Sequence, residues 1–228
     1  MDSVPKHIVV FPDGNRRWAL SQGFSIQQGY LKGKDKFNEF LMWCKNRGVA
    51  IVTVFGFSSE NWKRPQDQVD FLMNLFEKYL DESIEEFNAE GVKVKIIGQK
   101  ERLSESLQNV IVKVEEATEK NNTIQLNLAV SYGGKWDILQ AVKKIIADNI
   151  PVEKIDEEIL SGYLSTAGLV DPDLVIRAGG EMRMSNFVLW QAAYSELYFS
   201  EKLWPDFSEE DLDEAIGEFQ KRQRRFGK

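Results

Sequence analysis

The sequence predicts a single α/β domain built on a roughly six-stranded, mostly parallel sheet flanked by helices. Three observations carry this expectation. Short apolar, β-branched runs recur along the chain, stretches of helical period separate them, and the alternation persists over all 228 residues, a length one domain commonly fills. The runs are HIVVF from His7, VAIVTVFGF from Val49, VKVKIIG from Val92, IQLNLAVSY from Ile124, DLVIRAGG from Asp173 and ELYFS from Glu196. Most are apolar at successive positions, as strands buried on both faces are. Over 34–47, Phe37, Phe40, Leu41 and Cys44 repeat at helical spacing and stop at Gly48. Over 66–88, Val69, Leu72, Met73, Phe76, Leu80, Ile84 and Phe87 form one stripe, and 103–119, 136–147 and 208–222 complete the helices. Strands joined through helices pair in parallel, by crossover connections.

Composition narrows the function. A chain that is 43% hydrophobic and 29% charged is folded rather than disordered. Its net charge of −7 argues against nucleic acid as a partner. Cys44 is the only cysteine, so no internal disulfide forms and a reducing, cytoplasmic location is expected. His7 is the only histidine and opens an apolar run, a place suited to strand entry. A Cys/His zinc cluster is therefore excluded, and a histidine-based triad would have to recruit that one residue. The chemistry falls to carboxylates, arginines and a metal. Residues 1–6 are short and polar, and the apolar runs at 8–11 and 51–57 are far below the roughly 20 residues a span needs. Neither a targeting segment nor a membrane span is expected, although a lipid substrate stays compatible.

In open parallel sheets, ligands bind beyond the carboxyl ends of the strands. Four polar segments follow apolar runs in this way: PDGNRRW from Pro12, SSENWKRP from Ser58, SYGGKW from Ser131 and RAGGEMRMSNF from Arg177. The first sets Asp13 beside Gly14, Asn15, Arg16 and Arg17, the mixture that a phosphate ester with bound Mg²⁺ requires. The same residues suit a turn in which Asp-Gly-Asn caps the next helix. The second cluster joins Arg177, Arg183 and Ser185 across a glycine pair, and guanidinium forks match phosphate oxygens bidentately. Its plainer reading is surface arginines paired with Glu181. Two such clusters point to two phosphorylated ligands. Neither a P-loop nor a G-x-G-x-x-G turn occurs, so nucleotide use has no motif behind it. Ser58, Ser59, Asn61, Trp62 and Arg64 offer hydroxyl, amide, aromatic and cationic groups at a third strand end, or simply a helix start. Behind them Phe71, Leu72, Leu75, Phe76 and Tyr79 are core, or line a slot for a hydrocarbon chain.

Taken together and in order, HIVVFPDGNRRWA, FGFSSENWKRP, LNLAVSYGGKWDI, DLVIRAGGEMRMSNFVLWQAAYSELYF, LWPDF and the closing Arg225-Phe226-Gly227 resemble the cis-prenyltransferases, undecaprenyl diphosphate synthase and its relatives. The resemblance runs from His7 to Gly227. It implies that residues 1–228 are one catalytic domain with that family's fold, a homodimeric enzyme that condenses isopentenyl diphosphate with an allylic diphosphate and needs Mg²⁺. It also implies only transient membrane contact, and that only if the product is long. Carried across, Asp13 would bind Mg²⁺ and assist departure of the allylic diphosphate, held by Gly14, Asn15, Arg16 and Arg17. Trp18, Tyr30, Ser58, Ser59 and Arg64 would complete the substrate contacts, with Asn61 and Trp62 positioning the reacting ends. Arg177, Arg183 and Ser185 would hold the second diphosphate, Glu196 would be a further metal-linked carboxylate, and Arg225 and Gly227 would reach the partner subunit's site. Phe71, Leu72, Leu75 and Phe76 would wall the hydrocarbon slot.

The departures are specific. Pro12 stands for the family's Met, Arg16 for a Gly, Ile26 for an Arg, Tyr30 for a His, and Met182 where a His is frequent. This combination resembles the branch that couples two five-carbon units irregularly, the lavandulyl and cyclolavandulyl type, while Ser59 to Trp62 keeps the chain-elongating pattern. A short or irregular product is therefore expected, with an ordinary undecaprenyl-type synthase as one alternative and a noncatalytic partner subunit as another. The second alternative would show lost carboxylate or arginines, and Asp13, Arg17, Arg177 and Arg183 are all present.

Overall fold

All six apolar runs form strands, and all pair in parallel. The computed structural model describes residues 4–222. In it β1 (His7–Phe11), β2 (Ile51–Ser58), β3 (Val92–Ile97), β4 (Ile124–Tyr132), β5 (Leu174–Arg177) and β6 (Glu196–Phe199) make one sheet in the order β3-β4-β2-β1-β5-β6. β1 lies centrally and is wholly buried. Its side chains alternate between two cores: Ile8 and Val10 pack into the larger one, Val9 and Phe11 into the smaller. The larger core takes Phe40, Leu41 and Cys44 from one helix and Leu212, Ala215 and Phe219 from another, while Phe187, Val188 and Trp136 pack at the smaller one, so both sheet faces are covered. Burial holds the Cys44 thiol well above its ordinary range, which leaves it an unreactive core residue.

Eight α-helices lie among the described residues: α1 (Asn15–Ser21), α2 (Ile26–Asn46), α3 (Gln66–Glu82), α4 (Ile84–Glu90), α5 (Glu105–Ala117), α6 (Gly134–Ala147), α7 (Glu157–Tyr163) and α8 (Glu209–Lys221). The sequence reading needs four corrections. The helix expected over 34–47 begins at Ile26, because Ser25 and Gln28 form a reciprocal capping box at its start. The stripe over 66–88 is two helices, α3 and α4, divided at Ser83. α1 occupies the polar segment after β1, and α7 lies outside every stripe, so neither shows an apolar period of its own. No described helix is long and apolar enough to cross a membrane.

Sheet polarity positions the site. In the parallel register Phe11 aligns with Arg177, and the chain leaves both strands at the same edge. Asp13 therefore emerges beside Arg177 although 164 residues separate them in sequence.

Candidate active site

The turn out of β1 is held from three directions. Gly14 adopts φ +104°, a left-handed conformation that favours glycine, and a side chain there would also strike Leu203. The next turn, α1, packs on α2 at Gly33, where any Cβ would collide with the Asn15 side chain. Trp204 fastens the arrangement: its backbone N–H donates to the Asp13 carbonyl at 2.9 Å, and its indole N–H donates to the Gly33 carbonyl at 2.9 Å. The LWPDF segment thus acts as a brace behind Asp13, a role that its sequence alone did not disclose.

Arg177 joins the two phosphate clusters. Its guanidinium, only 5% exposed, donates from Nη2 to Asp13 Oδ2 at 2.9 Å and from Nη1 to Ser185 Oγ at 2.7 Å, with the Arg183 carbonyl as a further acceptor. It lies over the Phe11 ring, 5.0 Å from the centroid. Its Nε is buried without a partner. Arg17 donates to the Gly179 carbonyl at 2.7 Å and lies 3.6 Å from Asp13 Oδ1. The clusters that read as separate in sequence form one constellation around a single carboxylate.

That constellation heads a cavity of about 830 Å³, in the upper part of the range of small-molecule sites. Asp13, Gly14, Asn15, Arg16, Arg17, Tyr30, Ser58, Asn61, Arg64, Arg177 and Ser185 all line it. Its walls are apolar, with Phe37 from α2, Val54 and Phe55 from β2, and Leu72, Leu75 and Phe76 from α3. Four further lining residues, Lys34, Gln68, Glu60 and Asn186, carry polar groups to which the sequence alone assigns no role. Lys34 sits on α2, Gln68 on α3, and Glu60 receives a hydrogen bond from Asn186 Nδ2 at 2.8 Å. Burial pushes the Glu60 carboxyl upward, but hydrogen bonds from Asn186, its own backbone, Ser58 and Ser59 outweigh that and hold it below its usual value. Asn186 itself sits at φ +64°. Its carbonyl accepts from the Gly134 N–H and its Oδ1 from the Lys135 N–H, so it clasps the start of α6 to the loop after β2.

Other expected site residues lie elsewhere. Trp62 turns away from the cavity, donates to Ser131 Oγ at 2.8 Å and stacks edge-on against Phe57. Phe71 stands behind the wall, beside Tyr30, which corrects its place in the slot. Trp18 reaches Asp206 at 2.8 Å and packs on Phe24, and Ser59 hydrogen-bonds Glu60. Arg183 points outward at 61% exposure and pairs with Glu181, as its plainer reading had it; only its carbonyl joins the site. Glu196 opens β6 opposite Leu174, at the other end of the strands, and pairs with Arg222 at 2.9 Å. Within one chain it cannot share a cation with Asp13. Arg225 and Gly227 fall outside the described residues.

Among the described residues no three His, Cys, Asp or Glu side chains gather into a protein-only metal cage. Asp13 fits a looser arrangement. Its side chain is 37% exposed at the cavity head, and among the described residues the ion-pair partner of Oδ1 is Arg17 at 3.6 Å. One carboxylate of this kind suits Mg²⁺ completed by substrate phosphates and water.

Residues 11–227 match the family model described as putative undecaprenyl diphosphate synthase. The chain belongs to this family. It is a prenyltransferase whose relatives resemble it over nearly their whole length. An isoprenyl transferase of Neisseria meningitidis serogroup A is 45% identical over 226 residues, covering 99% of this chain and 90% of that protein. The crystal structure of lavandulyl diphosphate synthase from Lavandula x intermedia, in complex with dimethylallyl diphosphate, superposes with a TM-score of 0.95 at 36% identity, with 99% of each chain covered. That of a probable undecaprenyl diphosphate synthase from Campylobacter jejuni gives 0.84 at 35% identity, with 100% of each chain covered.

Proposed function

We propose that this prenyltransferase is a Mg²⁺-dependent synthase that condenses five-carbon prenyl diphosphates into a short or irregularly coupled product. The observation that carries the reading is the Asp13–Arg177 contact, at 2.9 Å, heading an apolar-walled cavity. A diphosphate needs cations and donors at one end, and its hydrocarbon tail needs the wall at the other. The homodimer and the cytoplasmic location are supported by the family resemblance and, for the latter, by the lone buried Cys44.

The reaction begins with rupture of the allylic C–O bond, whose electron pair leaves on the diphosphate. Arg17 and Arg177 are already oriented by fixed hydrogen bonds, so they stabilise that growing charge with little reorganisation. Mg²⁺, held by Asp13 and substrate oxygens, would supply Lewis-acid neutralisation of the same leaving group. The alkene of the second substrate then attacks the allylic cation, and the adduct loses a proton, for which the departed diphosphate is the base this reading assigns. Phe55, Leu72 and Phe76 exclude water that would otherwise quench the cation.

The departures at Pro12, Arg16 and Tyr30, together with the likeness to lavandulyl diphosphate synthase, favour the short or irregular product. A second reading, an ordinary undecaprenyl-type synthase, is favoured by the family model's description and by the intact SSENW segment. The test is incubation of the purified protein with Mg²⁺ and dimethylallyl diphosphate, first alone and then with isopentenyl diphosphate, followed by mass spectrometry of the dephosphorylated products. We expect a ten-carbon branched or cyclic alcohol from dimethylallyl diphosphate alone, or short linear products once isopentenyl diphosphate is present. Long polyprenols would establish the second reading, and no product from any pairing would make the chain a noncatalytic partner.

A further inference from the structure

Of the four polar segments that follow apolar runs, three meet at one residue, Asn186. Its Oδ1 accepts from the Lys135 N–H at 2.9 Å, its carbonyl accepts from the Gly134 N–H at 2.6 Å, and its Nδ2 donates to Glu60 Oε1 at 2.8 Å. A backbone N–H only donates and an ionised carboxylate only accepts, so these partners fix which end of the amide is oxygen and which is nitrogen. The backbone there is left-handed, at φ +64°, a conformation that asparagine visits more readily than most side chains do. The approach is close. A Cβ on Gly133 would stand 2.5 Å from Ser59 Oγ and 2.7 Å from Asn186 Nδ2, so a glycine is needed where the segments cross.

The neighbours of the two linked residues say what the bond to Glu60 holds together. Ser185 precedes Asn186 and accepts from Arg177 Nη1 at 2.7 Å, so that segment frames the arginine at the cavity head. Asn61 follows Glu60 and lines the cavity, with its Oδ1 accepting from the Ser58 N–H at 3.1 Å. Ser59 Oγ donates to Glu60 Oε2 at 3.1 Å and steadies the carboxylate. Coupling two prenyl groups requires the alkene of one to lie within bonding reach of the allylic carbon of the other, and a displacement of about 1 Å can cost about a hundredfold in rate. When the alkene is out of reach, water competes. Its oxygen then bonds to the allylic carbon, the C–O electron pair leaves on the diphosphate, a proton is released, and the product is a prenyl alcohol.

We infer that the Asn186–Glu60 hydrogen bond registers the two reacting prenyl ends, by holding the segment of Ser58 and Asn61 against the segment of Ser185, and so determines how often the allylic cation is captured by an alkene rather than by water. The inference rests on the prenyl diphosphate synthase reading above. Asn186 and Glu60 are positioning residues in this account, acting through Ser185 and Asn61.

Glu60→Ala and Glu60→Gln lose the same charge, but only the glutamine keeps an oxygen for the Asn186 amide. Asn186→Asp sets two carboxylates against each other and still accepts from the Lys135 N–H. Combining Glu60→Gln with Asn186→Asp reverses the bond, with the glutamine amide donating to the new carboxylate. Each protein, its folding checked by thermal melt, is incubated with Mg²⁺ and dimethylallyl diphosphate, with and without isopentenyl diphosphate. Without phosphatase treatment, the readouts are kcat, KM and the ratio of coupled product to free dimethylallyl alcohol. In Glu60→Ala and Asn186→Asp, kcat for coupling should fall about tenfold to a hundredfold, the size to which a lost hydrogen bond to a charged group converts. KM should stay within about threefold of wild type, because the arginines are untouched, and the share of alcohol should rise. Glu60→Gln and the reversed pair should recover most of both. Wild-type kcat and product ratio in Glu60→Ala overturn the proposal, as does a glutamine no better than the alanine. A rise in KM at unchanged kcat also overturns it, since that would make Glu60 a substrate contact. Should Glu60→Ala fail to fold, Asn186→Asp against the reversed pair decides by the same ratio. A wild-type protein inert on every prenyl diphosphate would instead overturn the functional reading itself, and that control tells the two failures apart.

Discussion

The two edges of the sheet treat buried polar groups in opposite ways. At the amino end of the strands, His7 Nδ1 lies 2.7 Å from the Val170 carbonyl and Nε2 lies 2.8 Å from Thr53 Oγ1. A carbonyl only accepts, so Nδ1 carries the proton and Nε2 accepts from the threonine. Thr53 in turn accepts from Asn127, and Asn127 from Gln125. Every group in this chain is used by its neighbour. At the carboxyl end, Arg177 Nε and Asn15 Oδ1 are buried without partners, and Arg16 has no ion-pair partner among the described residues. The first network is satisfied among protein groups, while the second keeps buried polar atoms and a cation beside the cavity that the protein itself does not pair.

The contrast breaks most sharply at Asp13. Asp13→Asn keeps the side chain's shape and an oxygen for Arg177, but removes the charge that would hold Mg²⁺. With substrate saturating, turnover should fall by about 10²–10³, the usual loss when one electrostatic contact to a leaving group is removed. Melting temperature should move by no more than about 2–4 °C, because the asparagine oxygen still accepts the hydrogen bond of the buried Arg177. Steady-state kinetics and a thermal melt check both halves. Near-normal turnover would remove Asp13 from the chemistry, and a collapsed melting temperature would move it to the structural class with His7.

How much of this was legible follows from where each signal resides. All six strands were, because burial on both faces leaves an apolar run that needs no partner to be noticed. α1 was not, since its sequence is the phosphate-binding segment itself and carries no apolar stripe. Asp13, Arg177 and Ser185 were named from residue chemistry, but their convergence depends on Phe11 aligning with Arg177, which only the parallel register supplies. The outward turn of Trp62 and Phe71 was illegible for a related reason: an aromatic residue at helical spacing serves core and cavity equally until its neighbours are known. Trp204 had a usable signal, the LWPDF motif, but no chemistry of its own to suggest that it braces Asp13. Glu196 shows the limit from the other side, a carboxylate of suitable type whose strand end places it away from the site.

A smaller effect separates the cavity wall from the core behind it. Phe76 lines the space and Phe71 does not. Phe76→Ala should lengthen products by about one or two five-carbon units, as removing a ring from a ligand pocket opens it. Phe71→Ala, despite the same change in side chain, should leave product length unaltered and lower stability by no more than about 3–5 kcal/mol, the range for fully buried rings. Mass spectrometry of dephosphorylated products decides between them. Equal lengthening by both substitutions would place Phe71 in the wall after all.

The smallest effect expected is at His7, and it tests the closed edge directly. Burial lowers the His7 pKa below its ordinary 6.5, and the bonds to Val170 and the charge of Asp173 restore only part of that. The unfolded chain therefore binds the proton more readily than the folded one does. Stability from this residue is present in full above about pH 6.5 and is lost as pH falls through the folded-state value. His7→Gln should cost about 1–3 kcal/mol at neutral pH, through the disturbed chain of hydrogen bonds. Its stability, measured by urea denaturation, should also fall less steeply than that of wild type from about pH 7.5 to about pH 5. Activity per folded molecule should not change, because the ring lies at the opposite edge from Asp13. A variant with unaltered pH dependence would mean that His7 does not titrate on unfolding, and one with impaired catalysis would connect the two edges that the hydrogen bonds keep separate.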